Sequence, residues 1–195
     1  MKKIIIISRQ FGSGGRSIGK KVAQTLGYDY YDSELVKKVA EETGFDPEYV
    51  ADAGEYAPGR SVLSYAFSSG VSHGNMSAND YLWATQCKVI LELAEKGNCV
   101  IVGRCADYIL RNREDCLNVF VYADTAFKAK RIVELYGVTD KSPEKRLADK
   151  DGKRKVNYKY FTGREWGQPE NYHLCLDSGS LGSEQCVDII ASVAK

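Results

Sequence analysis

Five short apolar runs punctuate the chain: Lys3–Ile7, Tyr28–Tyr31, Cys99–Val102, Leu117–Tyr122 and Tyr172–Leu176. Each is continuous rather than alternating, the pattern of strands covered on both faces in a parallel sheet. Between them, apolar positions recur at helical spacing. Ser17–Leu26 stops at Gly27 and Ser33–Thr43 at Gly44, the usual glycine stop of a helix. Asn79–Lys96 opens on a capping box of Ser77 with Asp80 and closes at Gly97. Thr125–Tyr136 stops at Gly137, Ser142 with Pro143 starts another helix, and Ser183–Ala194 supplies the last. Strand–helix alternation after a glycine-rich first turn predicts a doubly wound α/β fold.

Two segments leave this alternation. Residues 55–77 are rich in Gly, Ser and Ala, and residues 141–171 carry nine Lys or Arg against five Asp or Glu. Excursions of this length from a compact sheet are characteristically functional or mobile. A chain of 195 residues is expected to form one domain. Its net charge of +1 provides no broad cationic surface for nucleic acid or membranes, so any anion site must be local. The six cysteines contain no C-x-x-C pair and read as reduced core residues of a cytoplasmic protein. The opening MKKIIIIS is too short in apolar residues for a secretory signal, and no run approaches membrane-spanning length.

The stretch SRQFGSGGRS follows the first strand, at the edge where open parallel sheets bind ligands. Glycines there let backbone N–H groups converge on an anion at a helix N-terminus. A dinucleotide fingerprint fits poorly, because three residues precede the first glycine and position 17 is Ser. The loop of nucleoside monophosphate kinases, G-x-x-G-x-G-K-G-[ST], matches Gly12, Gly14 and Ser17. It places Arg9 where the first glycine stands and Gly15 where the lysine stands. Ser17 then holds the position of a Mg²⁺-binding hydroxyl, and Arg16 is one residue from the missing cation. The turn alone leaves phosphate loop, dinucleotide site and structural turn all open.

The later strand ends decide among them. YYDSELVKK, VIVGRCADYIL, VFVYADTAFKAKR and LCLDS, with DKDGKR and YFTGREWG, resemble the cytidylate kinase-like family over nearly the whole chain. The resemblance implies a P-loop kinase-like three-layer sandwich: a five-stranded parallel sheet, helices on both faces and a helical basic lid at about 141–171. It implies a monophosphate-binding insertion at about 33–78, and γ-phosphoryl transfer from ATP with Mg²⁺ to a small nucleotide such as CMP. It assigns Gly12, Ser13, Gly14, Gly15, Arg16 and Ser17 to the ATP phosphates, with Ser17 on the metal. Asp32, Ser33, Lys38, Arg104, Asp151 and Arg154 fall to the acceptor, and Arg16, Arg104 and Arg154 to the transferring group. Four positions depart from the family pattern: Gly15, Lys38 for Arg, Val102 for an acidic residue and Cys105 for Asp. Gly15, Val102 and Cys105 motivate an alternative, a nucleotide-binding regulator without turnover.

Plainer readings stand beside these. Ser33 and Asp124 could cap helices, Lys38 and the basic run could be solvated faces, and Arg104 could pair with Asp107. Trp166 and the tyrosines of NYKYF suit packing, while Asp177 and Ser178 fall near the adenine contact of related kinases. Gly152 and Gly163 are expected to interrupt the lid as hinges. A phosphate monoester is already ionised near neutral pH, so this chemistry needs no general base.

Overall fold

The computed structural model describes residues 2–55 and 77–195. Most of the 55–77 excursion, and with it much of the insertion expected at 33–78, lies outside the described residues. Five parallel strands, β1 (Ile4–Arg9), β2 (Asp29–Tyr31), β3 (Cys99–Val102), β4 (Cys116–Tyr122) and β5 (Leu174–Asp177), form one sheet in the order β2-β3-β1-β4-β5. The central strand shows why the runs are unbroken. Ile4 and Ile6 enter a cluster with Leu35, Val39, Ile90 and Leu93, while Ile5 and Ile7 enter another with Ile18, Val22, Cys186 and Ile190. All four isoleucines are fully buried, each worth about 1.5–3 kcal/mol of transfer free energy.

Helices supply the two outer layers. α1 (Gly15–Leu26) packs against the last helix, α9 (Ser183–Ala194), over one face. α2 (Ser33–Thr43), α3 (Pro47–Ala53) and α4 (Ala78–Lys96) cover the other. The short α5 (Ala106–Ile109) follows β3, α6 (Thr125–Tyr136) follows β4, and α7 (Pro143–Thr162) packs on α6. α8 (Ser178–Leu181) directly follows β5. The expected capping by Ser77, Ser142 and Asp124 is present, each side chain accepting from a backbone N–H of the first turn.

Three expectations change. α1 begins at Gly15 rather than Ser17, because Gly14 makes the turn with a left-handed φ of 83°. Asp32, not Ser33, is the residue before α2, and it makes no side-chain cap. Gly152 does not interrupt the lid: α7 runs unbroken through it for 20 residues and ends only at Gly163, which is left-handed at φ 71°. A lone glycine inside a helix costs about 0.5–1 kcal/mol, too little to break a 20-residue helix docked on α6.

β1 lies between β3 and β4, and the chain leaves it toward β2 and β3 first and toward β4 and β5 later. The loop after β1 therefore occupies the switch point where a crevice opens beyond the carboxyl ends.

Candidate active site

The loop from Gln10 to Gly14 is held from three sides. Ser13 closes it internally, its hydroxyl donating to the Gln10 carbonyl at 2.9 Å. The buried Ser178 hydroxyl lies 2.6 Å from the Ser13 carbonyl and 3.0 Å from that of Tyr122, tying the loop to the ends of β4 and β5. Lys128 of α6 donates to the Gln10 side chain at 2.7 Å, and burial lowers the pKa of its ammonium. Such a loop needs little reorganisation to receive an anion.

A cleft of about 380 Å³ opens above the loop and the N-terminus of α1. Arg16, Ser17, Arg131, Arg146 and Lys150 line it, and Phe11 stacked on Tyr136 at 5.8 Å makes an apolar wall. Arg131 donates to the Ser17 hydroxyl at 3.4 Å.

A second, much smaller pocket of about 20 Å³ lies toward β3. The buried Glu55 lines it. Arg9 Nη2 and Arg154 Nε each lie 2.8 Å from Glu55 Oε1, and Arg16 Nη2 lies 3.9 Å from Oε2. Burial alone would raise the Glu55 pKa, but Arg9, Arg154, Arg104 and Arg16 together hold it far below the usual carboxylate range. Arg104 reaches this pocket from Gly103-Arg104-Cys105, three successive residues with positive φ. Non-glycine residues adopt that region at a cost, a pattern concentrated at functional sites. Its guanidinium donates to the carbonyls of Val50 at 2.8 Å and Ala51 at 3.1 Å, fixing α3 over the pocket.

Arg9 and Arg154 line both cavities and so form the wall between them. Arg154 arrives from α7 and also donates to the Arg9 carbonyl at 3.2 Å and to Asp151 at 3.0 Å. Asp151 in turn accepts the Phe11 N–H at 2.8 Å, so the basic helix is fastened onto the loop. Burial raises the Asp151 pKa, opposed by that N–H and by Arg154.

The expected residues therefore divide. Gly12, Ser13, Gly14, Gly15, Arg16 and Ser17 form one loop, and Arg104 and Arg154 converge beside it. Asp32 bonds Arg16 at 3.0 Å, joining the loop to the end of β2. Lys38 and Ser33 sit exposed on α2 and line neither cavity. Arg104 does not pair with Asp107, whose carboxylate instead accepts the Tyr158 hydroxyl at 2.6 Å. Asp177 caps α8, Trp166 packs edge-on against Phe120, and Phe161 stacks on Trp83 at 4.3 Å. Four residues had no part in the expected site: Arg9, Glu55, Arg131 and Arg146. Arg9 carried a signal, a charge where the loop pattern has glycine. The others sit at helix and segment positions with no motif to mark them.

A five-stranded parallel sheet in this order, with a glycine loop at its switch point, defines a P-loop kinase fold. A shikimate kinase from Acinetobacter baumannii solved with shikimate shares that fold at a TM-score of 0.56 and 16% identity, over 98% of this chain and 92% of its own. An uncharacterized protein from Eubacterium ventriosum superposes at a TM-score of 0.73 and 26% identity, over 98% and 97%. The cytidylate kinase of Ignicoccus hospitalis is 22% identical over 188 residues, 96% of each chain. The model of the cytidylate kinase-like family matches residues 4–180, and the chain belongs to that family. Membership makes it a kinase with ATP as a substrate. No helix among the described residues is long and apolar enough to cross a membrane.

Proposed function

We propose that this kinase transfers the γ-phosphoryl group of ATP to a nucleoside monophosphate, with CMP the first candidate. The observation that carries the reading is the pair of cavities divided by Arg9 and Arg154. ATP phosphates suit the larger cleft, over the loop Gly12–Ser17 and beside Arg16. The acceptor phosphate suits the side of Arg104 and Arg154, whose charge Glu55 balances in its absence, with Asp32 at its margin. Asp151 acts through Arg154 and Phe11 as a positioning residue rather than an acceptor contact. Lys38 and Ser33 have no part in this reading.

Ser17, exposed at the start of α1, suits Mg²⁺ as a single hydroxyl ligand, since this ion keeps its waters and takes the rest of its shell from substrate phosphates. Bound there with ATP, the ion would neutralise charge on the phosphate chain. An oxygen of the acceptor monophosphate, already ionised, forms the new bond to the γ-phosphorus. The bond from that phosphorus to the bridging oxygen breaks, and its electron pair leaves with ADP. No proton need be removed, which suits two cavities that no histidine lines among the described residues, His173 lying away from both. The arginines hold the two phosphates together against their repulsion.

A coupled ADP-release assay over a panel of monophosphates, with and without Mg²⁺, tests this. Acceptor-dependent and Mg²⁺-dependent release is expected. A second reading, nucleotide binding without turnover, is favoured by the small size of the Glu55 pocket. Tight ATP binding with no transfer to any acceptor would establish that reading instead.

A further inference from the structure

The loop lacks its lysine because another residue fills the space. Gly15 has no positive φ, so its backbone permits a side chain. What forbids one is Arg9: a Cβ at position 15 would stand 2.5 Å from the Arg9 Cβ and 2.9 Å from its Cγ. Arg9 therefore lies across the first residue of α1, in the volume that the stem of a residue-15 side chain would need. Its guanidinium ends against Gly103, where a Cβ would come within 2.1 Å of Nη1. The two glycines make a channel for one arginine.

Arg9 is 4% exposed. Its Nη2 is ion-paired with Glu55 at 2.8 Å, while its Nε has no hydrogen-bond partner among the described residues. A buried guanidinium with a donor left unpaired is costly unless something accepts from it. It stands in the wall between the two cavities, at the end of the central strand.

We propose that Arg9 supplies the fixed cation that this phosphate loop lacks at Gly15, and that it contacts the transferring phosphoryl group. Relative to the usual loop, the glycine and the cation have exchanged positions: Arg9 stands at the glycine and Gly15 at the lysine. Arg16, 55% exposed at its side chain and bonded to Asp32, is not the substitute. Glu55 holds the charge of Arg9 while no phosphate is bound. A phosphate replaces one anion with another around the same arginines, so the site needs no large rearrangement of its cations. This inference rests on the proposed phosphoryl transfer, and its test separates the two.

Affinities for ATP and ADP, with Mg²⁺, are measured by calorimetry on the wild type, Arg9→Met, Arg9→Lys, Gly15→Lys and the double variant Arg9→Gly/Gly15→Lys. A contact to the γ-phosphate predicts that Arg9→Met loses ~10–100-fold in ATP affinity, the range for a charge-assisted hydrogen bond, while ADP affinity holds. Arg9→Lys is expected to fall between. Gly15→Lys alone should lose stability and ATP affinity through its collision with Arg9, and the double variant should recover the preference for ATP over ADP. If Arg9→Met fails to fold, the Gly15→Lys pair decides the matter. An unchanged ATP-to-ADP ratio in Arg9→Met overturns the assignment while leaving the kinase reading intact. So does a folded double variant with no recovery. A wild type that binds ATP but never transfers it removes the phosphoryl-transfer reading and with it this one.

Discussion

Glu55 is the residue on which the apo site depends. It puts one negative charge among arginines that would otherwise repel each other in a buried pocket, and they hold it ionised. Replacing one partner in such a cluster strands the others, at a cost of about 3–5 kcal/mol. Glu55→Gln is expected to lower stability by that order in a urea titration, yet to tighten binding of inorganic phosphate, which would then take the vacant charge role. The sign with pH follows from the direction of its shift. Its folded pKa lies below the ordinary value of 4.5, so its contribution is complete above that value and lost as pH falls further. Asp107 and Asp151, raised by burial, act in the opposite sense and cannot supply this acid loss. The wild type should therefore lose stability more steeply than Glu55→Gln below about pH 4. Parallel acid limbs would show that the carboxylate is not held by the arginines. Nothing in the sequence marked Glu55, because its importance comes from distant residues meeting it.

At the scale of elements, the basic helix α7 is a fastened arm rather than a chain broken by hinges. Its apolar Leu147 packs with Ile132 of α6, and Asp151 and Arg154 reach the loop after β1. Gly152 faces open space: a Cβ added there would meet nothing within 4 Å. Gly152→Ala should therefore stabilise the protein by about 0.5–1 kcal/mol and leave ATP affinity unchanged. A large fall in turnover in that variant would restore Gly152 as a hinge. Helix ends were legible where chemistry is local: Ser77, Ser142 and Asp124 cap as their side chains dictate, and Gly27, Gly44 and Gly163 close helices in the left-handed region. The expectation of a break at Gly152 failed for a physical reason. A glycine weakens a helix locally, but whether the helix breaks depends on what it packs against, and that is tertiary information.

For the whole molecule, the unbroken apolar runs were enough to read the parallel sheet, since only strands covered on both faces need no polar positions. The strand order, and so the side-by-side placement of the two cavities, required the chain to be folded. That placement concentrates positive charge at one edge of a protein whose net charge is only +1. Phosphate binding should accordingly be strong at this edge. At a hundred times its Kd, ATP stabilises by about 2.7 kcal/mol, which for a chain of this size raises the Tm by roughly 5–10 °C. Because Arg9 and Arg154 are buried, screening at about 0.15 M salt should diminish the shift only modestly, unlike binding to a diffuse basic surface. A dinucleotide should produce a smaller shift, since position 17 is Ser and the loop carries Arg9 before its glycines. Thermal melts with ATP, NADP and inorganic phosphate at low and physiological salt separate these cases. A shift that NADP matches, or that vanishes at physiological salt, would mean that the switch-point cleft is not built around a phosphate chain.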